Sequence, residues 1–218
     1  DVYKRQDCSL RTGSISIAAS EAALHLTLLD RLDAFHRRNP GIHLRITNDS
    51  TPRAMEGLLR GQVDCAAVTT PCPVRKSLQE TALVSFREIL ICGSDFHDLA
   101  AETQSLRDLE NIPFVCMSRG TSTYTFYQQL FLKHNLAFHV EMEAGTMDQV
   151  LAMVQSNLGV GFYPESMAAS ALAAGTVFQI RLAEPIPERF VNLIEDTSRP
   201  QSVAMKAFKK MLLAPEEE

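Results

Sequence analysis

The sequence predicts an α/β fold in which short strands alternate with longer helices and the sheets are largely parallel. Three observations carry this. Short stretches with every-second-residue apolar alternation recur along the chain. Each is followed by a longer stretch whose apolar residues return every three to four positions. Proline, glycine, asparagine and hydroxyl residues stand at the seams between the two. Strands joined by helices of this length form βαβ units. At 218 residues the chain suits one large domain or two intertwined lobes of about 100 residues each. No tandem repeat or low-complexity linker marks a boundary between them.

In chain order, residues 14–19 alternate after Gly13 and predict the first strand. A helix follows over residues 21–38, with Leu24, Leu28, Leu32 and Phe35 along one stripe. Asn39-Pro40-Gly41 ends it, because proline cannot continue a helix and glycine accepts the left-handed turn. Residues 42–47 predict strand two. Thr51-Pro52 then reads as a helix start, with Thr51 as cap; Met55, Leu58 and Leu59 form the apolar face and Gly61 the stop. Residues 63–69 predict a buried strand and residues 83–92 one long extended stretch. A second set of elements begins near Leu106: a strand at 114–117, a helix at 122–134 and a strand at 137–143. Thr146-Met147-Asp148-Gln149 has capping-box form and opens a helix that ends near Asn157. Strands at 160–163, 177–180 and 190–195, a helix from Pro164 to about Ala173 and a last helix at 201–213 complete the pattern.

Composition narrows the function. The net charge is −5, with acidic and basic residues interspersed, so the chain has no basic face of the kind a DNA-binding surface needs. No apolar run approaches the roughly 18 residues required to span a bilayer, which argues against a membrane partner. The five cysteines (Cys8, Cys65, Cys72, Cys92, Cys116) are odd in number and spread out, four of them within or beside apolar stretches. Buried reduced thiols fit that pattern and a cytoplasmic setting is expected. No C-x-x-C, zinc-spaced His/Cys cluster, dinucleotide fingerprint, P-loop or nucleophile elbow occurs, so neither a metal nor a cofactor is expected. The six histidines are scattered. The chain does not begin with Met; residues 1–8 are read as a linker remnant or foreign sequence, and Glu216-Glu217-Glu218 as a solvated tail.

Five phrases, in this order and spacing, resemble the effector-binding (substrate-binding) domain of LysR-type transcriptional regulators. They are Gly13-Ser14-Ile15-Ser16-Ile17-Ala18, Leu32 through Ile42 with its Phe35, basic pair and Pro40, and Leu58 through Ala67 with its glycine–hydrophobic–aspartate step. His97-Asp98-Leu99-Ala100 stands where the family usually has His-Pro-Leu-Ala, and Val150 through Pro164 matches its late helix–turn–strand. The similarity covers about Gly13 to Leu213. It implies a type 2 periplasmic-binding-protein-like fold, two α/β lobes joined by two crossover strands with an effector cleft between them. Lobe I would hold residues 9–86 plus 189–218 and lobe II residues 87–188. The family's N-terminal helix-turn-helix domain is absent from this sequence, so DNA contact would depend on that missing segment. A homodimer or homotetramer is implied, with the off-stripe Leu26 and Leu29 of the first helix as a candidate surface.

In open α/β sheets ligands bind beyond the carboxyl ends of strands, where helix N-termini offer unpaired N–H groups to an anion. Here those junctions carry Ser20, Ser50-Thr51, Thr69-Thr70, Ser118 with Thr121-Ser122, and Thr146, with Arg119 as a charge-assisted partner and Phe162 as a wall. Each hydroxyl also fits an ordinary helix cap, and the two roles are compatible. The expected function is therefore binding of a small anionic effector without catalysis, since no pair of ionisable groups points to acid–base work. Two other readings share the fold: an exported solute-binding protein of a transport system, and an enzyme. Cys116, at a strand end near the expected cleft, is a redox-sensing candidate or a buried structural thiol.

Overall fold

A computed structural model describes residues 12–72 and 76–214; the expectations for residues 1–8, Cys8 and the acidic tail lie outside them. Alternation in β1 (Gly13–Ala19) sorts its side chains between two cores. Ile15, Ile17 and Ala19 pack with Phe35 and Phe208 on one face of the sheet, and Ala18 with Leu58, Val68 and Ile194 on the other. The helix expected over 21–38 forms as one rod with a departure in its middle. α1 (Glu21–Ala23) passes through a π turn (Leu24–Leu28) into α2 (Leu29–Arg38). The turn brings Leu24 and Leu26 against the core beside Leu28, Leu32 and Phe35, whereas Leu29 stays exposed. Of the two off-stripe leucines, only Leu26 joins the core.

β2 (Ile42–Asn48) runs parallel to β1 along its whole length, from Gly13 opposite Ile42 to Ala19 opposite Asn48. α3 (Thr51–Leu59) starts differently from the expectation: Ser50 is the cap position and Thr51 the first helical residue. Thr51 is buried, and its Oγ1 donates to the Thr69 carbonyl at 3.1 Å, which fastens the helix start to the end of β3 (Cys65–Thr69). The extended stretch expected at 83–92 is two strands, β4 (Leu78–Phe86) and β5 (Glu88–Cys92), which belong to different sheets and part at Arg87. Periodicity within the stretch carries no sign of the switch.

After a 3-10 turn (Ser94–Ala100) come β6 (Phe114–Met117), α4 (Ser122–Lys133), β7 (Val140–Ala144) and α5 (Met147–Gln155). β7 starts later than expected because Leu136 and Phe138 are used as core side chains beside Phe114 and Phe131. β8 (Gly161–Pro164), α6 (Glu165–Ala173), β9 (Phe178–Ile180), β10 (Arg189–Asp196) and α7 (Val203–Leu212) finish the chain. α7 returns to the first sheet, where Phe208 meets Phe35 edge-on at 5.2 Å.

The first sheet has the order β2-β1-β3-β10-β4, with β10 antiparallel to both neighbours. In the second lobe β5 pairs antiparallel with β8 and β9, and β6 pairs parallel with β7. A parallel bridge from Phe114 to Val160 joins these groups into the order β7-β6-β8-β5-β9. Gly159 permits that bridge: a Cβ there would stand 2.4 Å from the Pro113 carbonyl oxygen. The two lobes thus repeat one plan: three parallel strands, then one antiparallel strand, then an edge strand antiparallel to that one. In each sheet the strand beside the parallel set, β10 or β5, is the one that arrives from the other lobe.

Glu88 and Arg189, the first residues of β5 and β10, meet at the crossing. Arg189 Nη1 donates to Glu88 Oε1 at 2.5 Å, and both side chains are almost wholly excluded from solvent. The guanidinium also donates to Thr70 O (2.8 Å), Thr69 Oγ1 (3.0 Å) and Thr123 Oγ1 (3.3 Å), and lies against the rings of Phe86 and Phe126. Breaking such a pair strands one charge in a dry site, at about 3–5 kcal/mol. Burial also governs the thiols. Cys65, Cys92 and Cys116 are buried and free, and Cys72 is half-buried. Burial pushes Cys116 up to about 12 and Cys72 and Cys92 to about 11, and Cys65 higher still. A sensing thiol needs an accessible thiolate, so Cys116 is a structural residue of the second core.

Glu88→Ala is expected to lower the urea-unfolding free energy by about 3–5 kcal/mol, whereas Glu56→Ala, at the exposed pair with Arg60, changes it by less than about 1 kcal/mol. Alkylation of the folded protein at pH 8 with peptide mapping should spare Cys65, Cys92 and Cys116, label Cys72 slowly, and label all four once urea unfolds the chain. The folded state retains these thiol protons where the unfolded chain releases them, so their contribution to stability is lost as pH rises above about 9.

Candidate functional site: the cleft between the lobes

Four helices begin at the seam between the two sheets, and each start is fixed locally. Ser20 has extended backbone and its Oγ accepts from Ala23 N at 3.2 Å, opening α1. Thr121 Oγ1 accepts from Tyr124 N at 3.2 Å and donates to Ser118 O at 2.8 Å, opening α4. Thr146 Oγ1 accepts from Gln149 N at 3.2 Å, while Gln149 Oε1 accepts from Gly145 N at 2.8 Å. That is the expected capping box, shifted by one residue on its return arm. α3 starts at Ser50 and is held through Thr51 instead.

These starts enclose a cavity of about 300 Å³, in the range of a small-molecule pocket. Ser20, Ser50, Thr51, Thr69, Thr121 and Thr146 all line it. Ser118, Arg119 and Phe162 are not part of that lining. Ser118 turns its hydroxyl to the Ala144 carbonyl at 3.2 Å, and Arg119 points outward to Glu143 at 3.4 Å. Phe162 is buried in the second core, stacked on Tyr127 with centroids 4.4 Å apart.

Ala22, Asn48, Asp49, Ser122, Thr123 and Met147 complete much of the wall, together with Glu21 and Arg53. Of these only Ser122, beside Thr121 at the same strand-to-helix junction, stood out in the sequence. Glu21 follows a cap and reads there as an ordinary acidic residue of a first helical turn. Asn48 and Asp49 continue a strand end, and Thr123 reads as a helix interior position. Arg53 is an exposed cation on the lining and approaches Asp49 at 3.6 Å. Below the floor, Arg189 holds the hydroxyls of Thr69 and Thr123.

The charges near the cleft are unevenly disposed. The Glu21 carboxylate reaches across to α5 and accepts from Met147 N at 2.5 Å and Asp148 N at 3.3 Å. Burial holds the Glu21 carboxyl above its ordinary value against the opposing pull of the Met147 N–H, and the nearby Asp148 charge adds to the rise. Tyr163, facing the same charges, is pushed up to about 12, chiefly by burial. Glu21, His25 and Asp148 bring donor atoms within 4.8 Å of one another, but His25 and Asp148 are exposed and Glu21 is already engaged by the two backbone N–H groups. First-turn N–H groups have no partner inside their own helix. With Ala23 and Tyr124 capped by side chains, those of Ala22, Ser122 and Thr123 belong to residues that line the cavity. Such an arrangement suits an anionic group held by N–H groups and hydroxyls. It offers no nucleophile–base pair.

Comparison with known proteins agrees with this geometry. The family model described as LysR substrate binding domain matches residues 9–215. A "Probable RuBisCO transcriptional regulator" of Chlorokybus atmophyticus is 24% identical over 215 residues, spanning 94% of this chain and 67% of the relative. The chain thus corresponds to about two thirds of that protein's length. Among solved structures, the CcmR regulatory domain of Synechocystis PCC6803 in complex with 2-PG superposes with a TM-score of 0.82 at 19% identity, over 93% of this chain and 96% of that one. The effector-binding domain of QuiR in complex with shikimate gives a TM-score of 0.80, also at 19% identity and the same coverage. The fold is therefore the two-lobed, type 2 periplasmic-binding-protein-like one. The relatives are transcriptional regulators, neither transport proteins nor enzymes. Matched by its model over nearly the whole chain, this protein belongs to the LysR substrate-binding domain family.

Proposed function

We propose that the cleft binds a small anionic molecule and that its occupancy sets the state of a transcriptional regulator to which this domain belongs. Lobe I comprises residues 9–86 and 189–218 and lobe II residues 87–188, so that each contributes helix N-termini to one ligand. Ser20, Ser50, Thr51, Thr69, Thr121 and Thr146 supply hydroxyls, and the backbone of Ser122 and Thr123 supplies N–H groups. The observation that carries this reading is the convergence of four helix starts on one cavity of about 300 Å³. A carboxylate or phosphate there would be held by aligned dipoles and hydrogen bonds, with Arg53 on the wall as the nearby cation.

The ligand shifts the lobes or subunits only by its difference in affinity for the two arrangements. DNA contact is assigned to a helix-turn-helix segment outside this sequence. Assembly as a homodimer or homotetramer, and a cytoplasmic setting consistent with buried reduced thiols, complete the reading. The ligands of the QuiR and CcmR domains, shikimate and 2-PG, make carboxylates and phosphorylated acids the first compounds to try.

Thermal-shift screening against such acids should find one that raises the melting point. At one hundred times its Kd the ligand stabilises by about 2.7 kcal/mol, or on the order of 5–10 °C for a chain of this size. Ser20→Phe and Thr121→Tyr should abolish the shift while remaining folded by circular dichroism, each losing about 1 kcal/mol for its cap. An undiminished shift in both variants would place the ligand elsewhere.

A further inference from the structure

The protein already carries one anion in this cleft. α5 begins on lobe II, and its first two N–H groups, those of Met147 and Asp148, have no partner within the helix. Both are taken by Glu21, a residue of lobe I more than a hundred positions away in sequence. A carboxylate at this terminus is what an anionic ligand would present, and the interaction is charge-assisted at both oxygens. Glu21 also lines the cavity, together with Gly145, Thr146 and Met147 of the same α5 entry. Its own helix keeps it in place, since Ser20 caps α1 at 3.2 Å and the rod continues through the π turn behind it. Asp148 stands beside it, so a second anion entering there meets two carboxylates. Among the described residues no carboxylate occupies the α4 start: Thr121 takes Tyr124 N, and Ser122 and Thr123 remain on the cavity wall.

We propose that Glu21 is a specificity-determining residue of the cleft, a built-in carboxylate that occupies the α5 terminus and ties the two lobes together at that edge. It reserves one of the four helix starts for the protein and directs an incoming anionic group to the α4 side. A ligand long enough to reach α5 must present a hydrogen-bond donor to Glu21 or displace it. This rests on the anion-binding reading above for the ligand's position, but the Glu21–α5 tie stands independently of any ligand.

Amide NMR spectra of the domain in EDTA-containing buffer test both parts. In Glu21→Ala the Met147 and Asp148 amide protons should lose their downfield shift and exchange about tenfold faster, the loss of one charge-assisted hydrogen bond. Glu21→Gln, which keeps one acceptor oxygen, should fall between. Thermal melts verify that both variants fold. Inorganic phosphate then serves as the probe anion. In the parent protein it should move the Ser122 and Thr123 amides and leave Met147 and Asp148 in place; in Glu21→Ala it should move Met147 and Asp148 as well. Met147 and Asp148 amides that are the same with and without Glu21 would overturn the tie. Phosphate that moves these amides equally in both proteins, or in neither, would overturn the claim that Glu21 keeps anions away. Silence at Ser122 and Thr123 alone, with the Glu21 dependence intact, would sink only the anion-binding reading.

Discussion

The fold turns on one buried ion pair. Each lobe sends a strand into the other's sheet, and the first residue of each incoming strand is a charge, Glu88 in β5 and Arg189 in β10. Their contact sits where both strands have just crossed. Burying two charges costs about as much as their attraction returns, so the pair is a poor source of net stability. It is a strong source of geometry, because the guanidinium has its partners fixed on several elements. Thr70 O and Thr69 Oγ1 belong to the end of β3 or just beyond it, Thr123 Oγ1 to α4, and the rings of Phe86 and Phe126 close its faces. Displacing one lobe relative to the other would pull at all of them.

That constraint also shapes the cleft. Thr69 and Thr123 line the cavity from opposite lobes, and one guanidinium holds both. The floor is thereby tied across the lobes, and at the α5 edge Glu21 spans the gap with a second interlobe contact. The two contacts differ in kind. Arg189 and Glu88 are sealed from water, where a pair is hard to exchange for anything else. Glu21 is only half-buried and bonded to backbone N–H groups, which solvent or another anion is able to replace. A binding domain whose lobes respond to a ligand needs both a fixed hinge and a replaceable edge.

Much of the architecture was legible because it follows from local rules. The alternation in residues 14–19, the stop at Asn39-Pro40-Gly41 and the capping box at Thr146 each specify an element from a few neighbours, and all three appear in the structure. Six of the nine residues singled out for the site line one cavity: caps pin Ser20, Thr121 and Thr146 at their strand-to-helix junctions, while Ser50, Thr51 and Thr69 stand at the junction between β3 and α3 that the Thr51–Thr69 bond fastens. The residues that lie off this cavity were misplaced by the sequence for a shared reason, a distant partner. Phe162 sits at a strand position whose face the local pattern does not specify, and the aromatic cluster of the second core claims it. Arg119 lies in the right loop, but the salt bridge to Glu143 turns its charge to solvent.

By itself the sequence determined the alternation of strands and helices, their caps and stops, and the family phrases, because each depends on side chains a few residues apart. Only the tertiary structure decided where residues 83–92 change sheets, which charges meet at the crossing, and that Glu21 closes on α5. The last two join positions 101 to 127 residues apart, Arg189 with Glu88 and Glu21 with Asp148. No local periodicity encodes a partner at that separation. It emerges only when two lobes, each satisfying its own core, leave a few polar groups facing one another across the gap.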